Sequence, residues 1–130
     1  MLRQQVVLHL CILFFFALHS TAPGPPTEFR GRVLSDKEII IVWEEPKIPN
    51  GIIRKYHIRA YKTKTGQEVY ERTVAKGRYK YDFRYLRNLY PFTIFTFTIQ
   101  AETIKIGEMA NFSAKTLEGG KFESFMCLTL

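Results

Sequence analysis

The amino-acid sequence predicts an all-β fold, a seven-stranded antiparallel sandwich of two sheets. Three observations carry this. Short runs rich in β-branched and aromatic residues alternate apolar with polar side chains, the period of a half-buried strand. Glycine and proline punctuate these runs at regular intervals, and no stretch sustains apolar residues at helical spacing. Apolar residues make up 46% of the 130-residue chain and aromatics 15%, which is enough for one packed core and wrong for a disordered chain.

Thr27 to Leu34 reads as a weak first strand. Lys37 to Trp43 is a strong second, with Ile39, Ile41 and Trp43 on one face; Pro46 and Pro49 stop it. Asn50-Gly51 makes a turn because both residues tolerate positive φ. Ile53 to Lys62 follows, with Tyr56, Ile58 and Ala60 on one face and Lys55, His57, Arg59 and Tyr61 on the other. Thr65-Gly66 turns the chain into Glu68 to Val74, a short polar strand expected at a sheet edge. Tyr79 to Leu86 is a fifth strand whose pattern fits two registers. Either Tyr81, Phe83 and Tyr85 point inward or Leu86 does, because a one-residue slip exchanges the faces. Thr93 to Thr103 is the longest strand, with Phe95, Phe97, Ile99 and Ala101 on one face and Thr96, Thr98 and Gln100 on the other. Lys105 to Glu108 is expected as a loop around Gly107, and Ala110 to Leu117 as the last strand.

The first 22 residues have another character. Met1 to Gln5 carries one basic residue, Arg3, and no acid; Val6 to Leu18 is apolar except for His9; small and polar residues then lead to Pro23-Gly24-Pro25-Pro26. This is the pattern of a secretory signal peptide over residues 1–22, and the apolar run is shorter than the roughly 20 residues of a membrane helix. Removing it changes the net charge from +7 to +6 and takes Cys11, His9 and His19. One cysteine, Cys127, and one histidine, His57, would remain, so no disulfide within the mature chain could form and the domain must hold by its core. The expected organisation is a signal peptide at 1–22, a domain at 23–119 and a disordered C-terminal tail at 120–130. Cys127 in that tail could pair between chains as a disulfide dimer.

Five short patterns, in order, are shared with a known family. They are the opening Pro25-Pro26; Ile39-x-Ile41-x-Trp43-x-x-Pro46; Pro49-Asn50-Gly51-x-Ile53-x-x-Tyr56-x-Ile58; Leu89-x-Pro91-x-x-x-Phe95-x-Phe97-x-Ile99-x-Ala101; and Thr116-Leu117-Glu118-Gly119. From Pro25 to Gly119 the chain resembles a fibronectin type III domain. The resemblance implies an immunoglobulin-like β-sandwich with Trp43, Tyr56, Ile58, Leu89, Phe95 and Phe97 in its core. It also implies a non-catalytic module of cell adhesion or receptor ectodomains, with no cofactor and an extracellular protein as partner. The Asn-Gly turn is similar to those in receptor-type tyrosine phosphatases and neural adhesion proteins, of which this chain would be a truncated form. Phe95 stands where the family carries a tyrosine whose hydroxyl ties a corner, so Phe95→Tyr is expected to raise the melting temperature.

Other residues qualify the functional reading. Asn111-Phe112-Ser113 is an N-glycosylation acceptor, with Asn111 opposite in facing to Ala110 and Phe112. Lys76, Arg78, Lys80, Arg84 and Arg87 place five positive charges within twelve residues, interleaved with Tyr79, Tyr81 and Tyr85. In a secreted chain that cluster would meet heparan sulfate or anionic surfaces rather than nucleic acid; the alternative is a solvated edge that resists aggregation. A second basic set runs through Arg54, Lys55, Arg59, Lys62 and Lys64. No Arg-Gly-Asp, no phosphate-binding glycine loop and no nucleophile elbow occurs, and a single remaining histidine cannot supply a two-histidine metal motif. The expectation is therefore a secreted protein-binding module without catalysis. Polyanion binding and a passive spacer are the alternatives.

Overall fold

The computed structural model describes residues 21–122. Seven strands are laid down in chain order: β1 (Thr27–Val33), β2 (Ile39–Glu44), β3 (Lys55–Lys62), β4 (Glu68–Ala75), β5 (Tyr81–Leu86), β6 (Ile94–Glu102) and β7 (Ile106–Lys115). They form a three-stranded sheet in the order β1-β2-β5 and a four-stranded sheet in the order β4-β3-β6-β7. Every pairing is antiparallel.

The core follows from the alternation. Ile39, Ile41 and Trp43 of β2 face Tyr56, Ile58 and Ala60 of β3 and Phe95, Phe97, Ile99 and Ala101 of β6, all buried. Trp43 meets the Tyr56 ring edge-on at 5.5 Å, a preferred arrangement of ring quadrupoles. Phe112 closes the seam between the sheets: it stacks on Phe97 at 4.9 Å and takes the edge of Phe29 at 4.7 Å. Gly31 of β1 leaves the space for it, since a Cβ there would lie 2.6 Å from the Phe112 ring.

The two readings of β5 are now distinguished. Leu86 is fully buried, while Tyr81, Phe83 and Tyr85 are 60%, 54% and 46% exposed on the outer face. The register carries the reason: Leu86 pairs with core-facing Ile39, and Phe83 with outward-facing Val42. β4 is an edge strand, as its polarity predicts.

Two boundaries differ from expectation. β7 begins at Ile106 rather than Ala110, because Ile106 already pairs with Glu102 and the Glu108 amide donates to Pro23 O at 3.0 Å. The loop shrinks to Thr103–Lys105, closed by Thr103 N–H to Lys105 O at 3.1 Å. At the other end, residues 120–122, expected as disordered tail, are held: Gly120 N donates to Asp36 Oδ2, Asp36 N to Lys121 O, and Phe122 bridges to Ser35. The signal segment through residue 20, and Cys127 with the dimer expected of it, lie outside the described residues.

Candidate docking surfaces

Both sheets give their loops to the two ends of the sandwich. One end gathers the β2–β3 loop and the β6–β7 loop, because Lys55 at the start of β3 pairs with Glu102 at the end of β6. Gly51 (φ 137°) packs on Thr103 between the loops. Arg54 N donates to Glu102 O, Gly24 N to Ile48 O and the Asn50 side-chain Nδ2 to Ala22 O, so two backbone bonds and one side-chain bond brace the loops and the incoming chain. On this braced end four isoleucines face solvent: Ile48, Ile52, Ile104 and Ile106, at 66%, 83%, 67% and 54% exposure. Beside Ile48 lies a cleft of about 470 Å³ between Pro25, Thr27 and Asn50. Rigid loops presenting apolar side chains are what a protein contact needs, since little conformational entropy remains to be lost on binding.

The basic set at 76–87 does not gather into one patch. Lys76 is largely enclosed: its ammonium donates to Gly77 O and Tyr79 O, each at 2.7 Å, and stands 2.9 Å from Glu45. Lys80 pairs with Glu44 at 3.2 Å and Arg87 with Glu38 at 3.1 Å. Arg78 and Arg84 are exposed, with Arg84 on the Leu86 face of β5, at the open sheet edge. From Lys80 to Arg87 the strand runs about 23 Å. The cluster is contiguous in sequence, whereas in space it is dispersed and partly neutralised.

Asn111 is exposed on β7, an edge strand, and its neighbours Ala110 and Phe112 turn inward as expected. Behind it, the outer face of the four-stranded sheet is polar. His57 Nε2 and Lys55 Nζ both hold the Glu102 carboxylate, Lys55 at 3.3 Å, and His57 Nδ1 meets Thr73 Oγ1 at 3.1 Å. The hydrogen bond from His57, helped by Lys55 against partial desolvation, pulls the Glu102 carboxyl below its ordinary pKa. Inside the core, burial pushes the Tyr56 phenol well above its ordinary value, with the Glu45 and Asp82 charges adding to the effect. Trp43 Nε1 and Tyr56 Oη are both buried without a regular hydrogen-bond partner among the described residues. No group of three or more His, Cys, Asp or Glu there has a metal-holding arrangement, and no helix among them is long and apolar enough to cross a membrane.

A three-plus-four antiparallel sandwich, closed around a tryptophan and braced at its loop ends, defines an immunoglobulin-like module. The chain belongs to the fibronectin type III domain family, whose model matches residues 24–116. It is 32% identical over 95 residues to chicken (Gallus gallus) ephrin type-A receptor 7, an alignment that spans 70% of this chain and 9% of that receptor. Among solved structures, the FN5 domain of Drosophila Lar matches with a TM-score of 0.56 and 23% identity, covering 75% of this chain and all of that one. Chicken CNTN1 FN1–FN3 matches at 0.60 and 22%, over 74% of this chain and 31% of that one. Rat CD45 extracellular domains d3–d4 match at 0.60 and 19%, over 75% and 51%.

Proposed function

We propose that this chain is an extracellular, non-catalytic recognition module that docks a protein partner through its isoleucine end. The observation that carries this is the exposure of Ile48 and Ile52 on the β2–β3 loop, Ile104 on the β6–β7 loop and Ile106 at the start of β7, on an end where the two loops are braced against each other. Apolar groups clustered on rigid backbone are costly in water and are released from it on contact. The likeness to an ephrin receptor segment supports a cell-surface or secreted setting, and the signal-like residues 1–22 supply the export route. In that compartment Asn111 accepts an N-glycan. The glycan would cover the outer face of the four-stranded sheet beside β7 and leave both loop ends open.

The test uses the full chain, tagged and expressed in a secretory host, as a probe for binding to a panel of mammalian cell lines. Saturable binding that falls at least tenfold in the Ile52→Asp/Ile104→Asp variant, with an unchanged melting temperature, is the expected result. Retention of binding in that variant overturns the docking assignment; absence of binding by the wild type on every line overturns it in favour of a spacer. Retention of the chain inside the host, or no mobility shift on peptide-N-glycosidase treatment, removes the export or glycan reading respectively.

A further inference from the structure

At the opposite end of the sandwich the structure assembles a cationic cleft that no run of sequence displays. Lys62 ends β3, Lys64 lies in the β3–β4 turn and Lys115 ends β7; together with Thr63, Phe92 and Ile94 they line a cleft of about 520 Å³. None of the three lysines has an ion-pair partner among the described residues. Lys55, Arg59, Lys76, Lys80 and Arg87, by contrast, each stand 2.9 to 3.3 Å from a carboxylate. Lys37, Lys47, Arg54, Arg72, Arg78, Arg84 and Lys105 likewise stand without an ion pair among the described residues, but Lys62, Lys64 and Lys115 come from three separate elements to line one cleft.

Two further features mark the cleft. Lys115 Nζ stands 3.4 Å above the Phe92 ring and Lys62 Nζ 3.6 Å above the Tyr90 ring. The rings hold two long, otherwise mobile side chains in place before any ligand arrives, which lowers the entropy cost of binding. Phe92 itself has φ +49° and is 59% exposed. It follows Pro91 in a tight turn, at a position where glycine or asparagine is unstrained and a bulky aromatic is not. Backbone strain kept to hold an aromatic ring in solvent points to use of that ring.

We propose that this cleft binds a sulfated polysaccharide. Sulfate groups complement the three ammonium groups; sugar C–H faces suit the open apolar surfaces of Phe92 and Ile94; ring hydroxyls can bond Thr63, whose Oγ1 already joins a surface hydroxyl chain through Thr96 to Ser113. A cleft that is open and shallow accepts a segment of a long chain passing across it. This site is independent of the protein-docking end and differs from the 76–87 cluster.

The probe is a heparin-derived hexasaccharide, titrated calorimetrically into the full chain. The expected result is binding whose log K falls with log salt at a slope of about −2 to −3, as for three released counterions. Lys62→Gln/Lys64→Gln/Lys115→Gln should weaken it at least thirtyfold, and Arg78→Gln/Arg84→Gln less than threefold. Phe92→Gly should weaken it at least fivefold while leaving the melting temperature within a few degrees, since glycine relieves the turn. Equal affinity for the desulfated hexasaccharide, tighter binding of a poly-glutamate peptide, or loss confined to the Arg78/Arg84 variant each overturns the proposal.

Discussion

At the scale of single residues, the corner between β5 and β6 shows how one side chain takes over another's task. The expectation that Phe95→Tyr would supply a missing hydrogen bond assumed that the corner lacks one. Phe95 is fully buried, but the tie comes from Thr116, whose hydroxyl donates to Tyr90 O at 2.6 Å and accepts from Thr93 N at 3.0 Å. Thr116→Val keeps the volume and removes the partner of a part-buried amide and carbonyl, at a cost of about 1 kcal/mol. Chemical denaturation should find that loss larger than any gain from Phe95→Tyr; the reverse order would return the corner to position 95. Tyr56 presents the opposite case. Its hydroxyl is buried without a regular partner, so Tyr56→Phe removes an uncompensated polar group. The variant should be as stable as the wild type or more so, by up to about 1 kcal/mol. A loss beyond that would show a hydrogen bond to the Trp43 indole that the static geometry does not.

At the scale of elements, strand pairing brings together groups distant in sequence, and one such cluster contributes to the acid stability. Lys55 and His57 on β3 converge on Glu102 of β6 across an antiparallel pair. Because the folded carboxyl has a lowered pKa, the folded state binds fewer protons than the unfolded state near the ordinary carboxylate pKa of about 4.3. The contribution is therefore present above that pH and disappears as pH falls through the lower folded value. Melting temperatures between pH 6 and pH 3 should fall more steeply in the wild type than in Glu102→Gln; parallel curves would exclude the clamp. The pairing also separates what was legible in the sequence from what was not. Alternation alone gives the faces of β2, β3 and β6, because both partners of each core row are apolar. It cannot choose the face of β5, where three exposed aromatics compete with one buried leucine; only the pairing of Leu86 with Ile39 does so. Likewise the basic run at 76–87 is conspicuous in the sequence, yet glutamates from β2 and its flanks neutralise much of it. Lys115 stands 51 residues from Lys64, and only the fold brings both to the same cleft.

At the scale of the whole molecule, the question is what holds a domain of this size together. The chain's cysteines stand at 11 and 127, on either side of the sandwich, so no disulfide can link one strand to another. The constraint comes from the hydrophobic core, fourteen buried residues among the described ones, with Trp43 the largest of them. Small domains often use disulfides to restrict the unfolded chain; here hydrophobic burial must exceed the conformational entropy of the unfolded state without one. The thermal transition should then be indifferent to redox state. A reductant at millimolar concentration should leave the melting temperature within about 1 °C. Trp43→Ala, which removes about 3–5 kcal/mol of core packing, should lower it by roughly 12 °C or more, at 4–8 °C per kcal/mol for a domain of this length. A scan in which reduction lowers the transition by several degrees, or one in which Trp43→Ala melts with the wild type, would mean that something other than the inter-sheet core carries the fold.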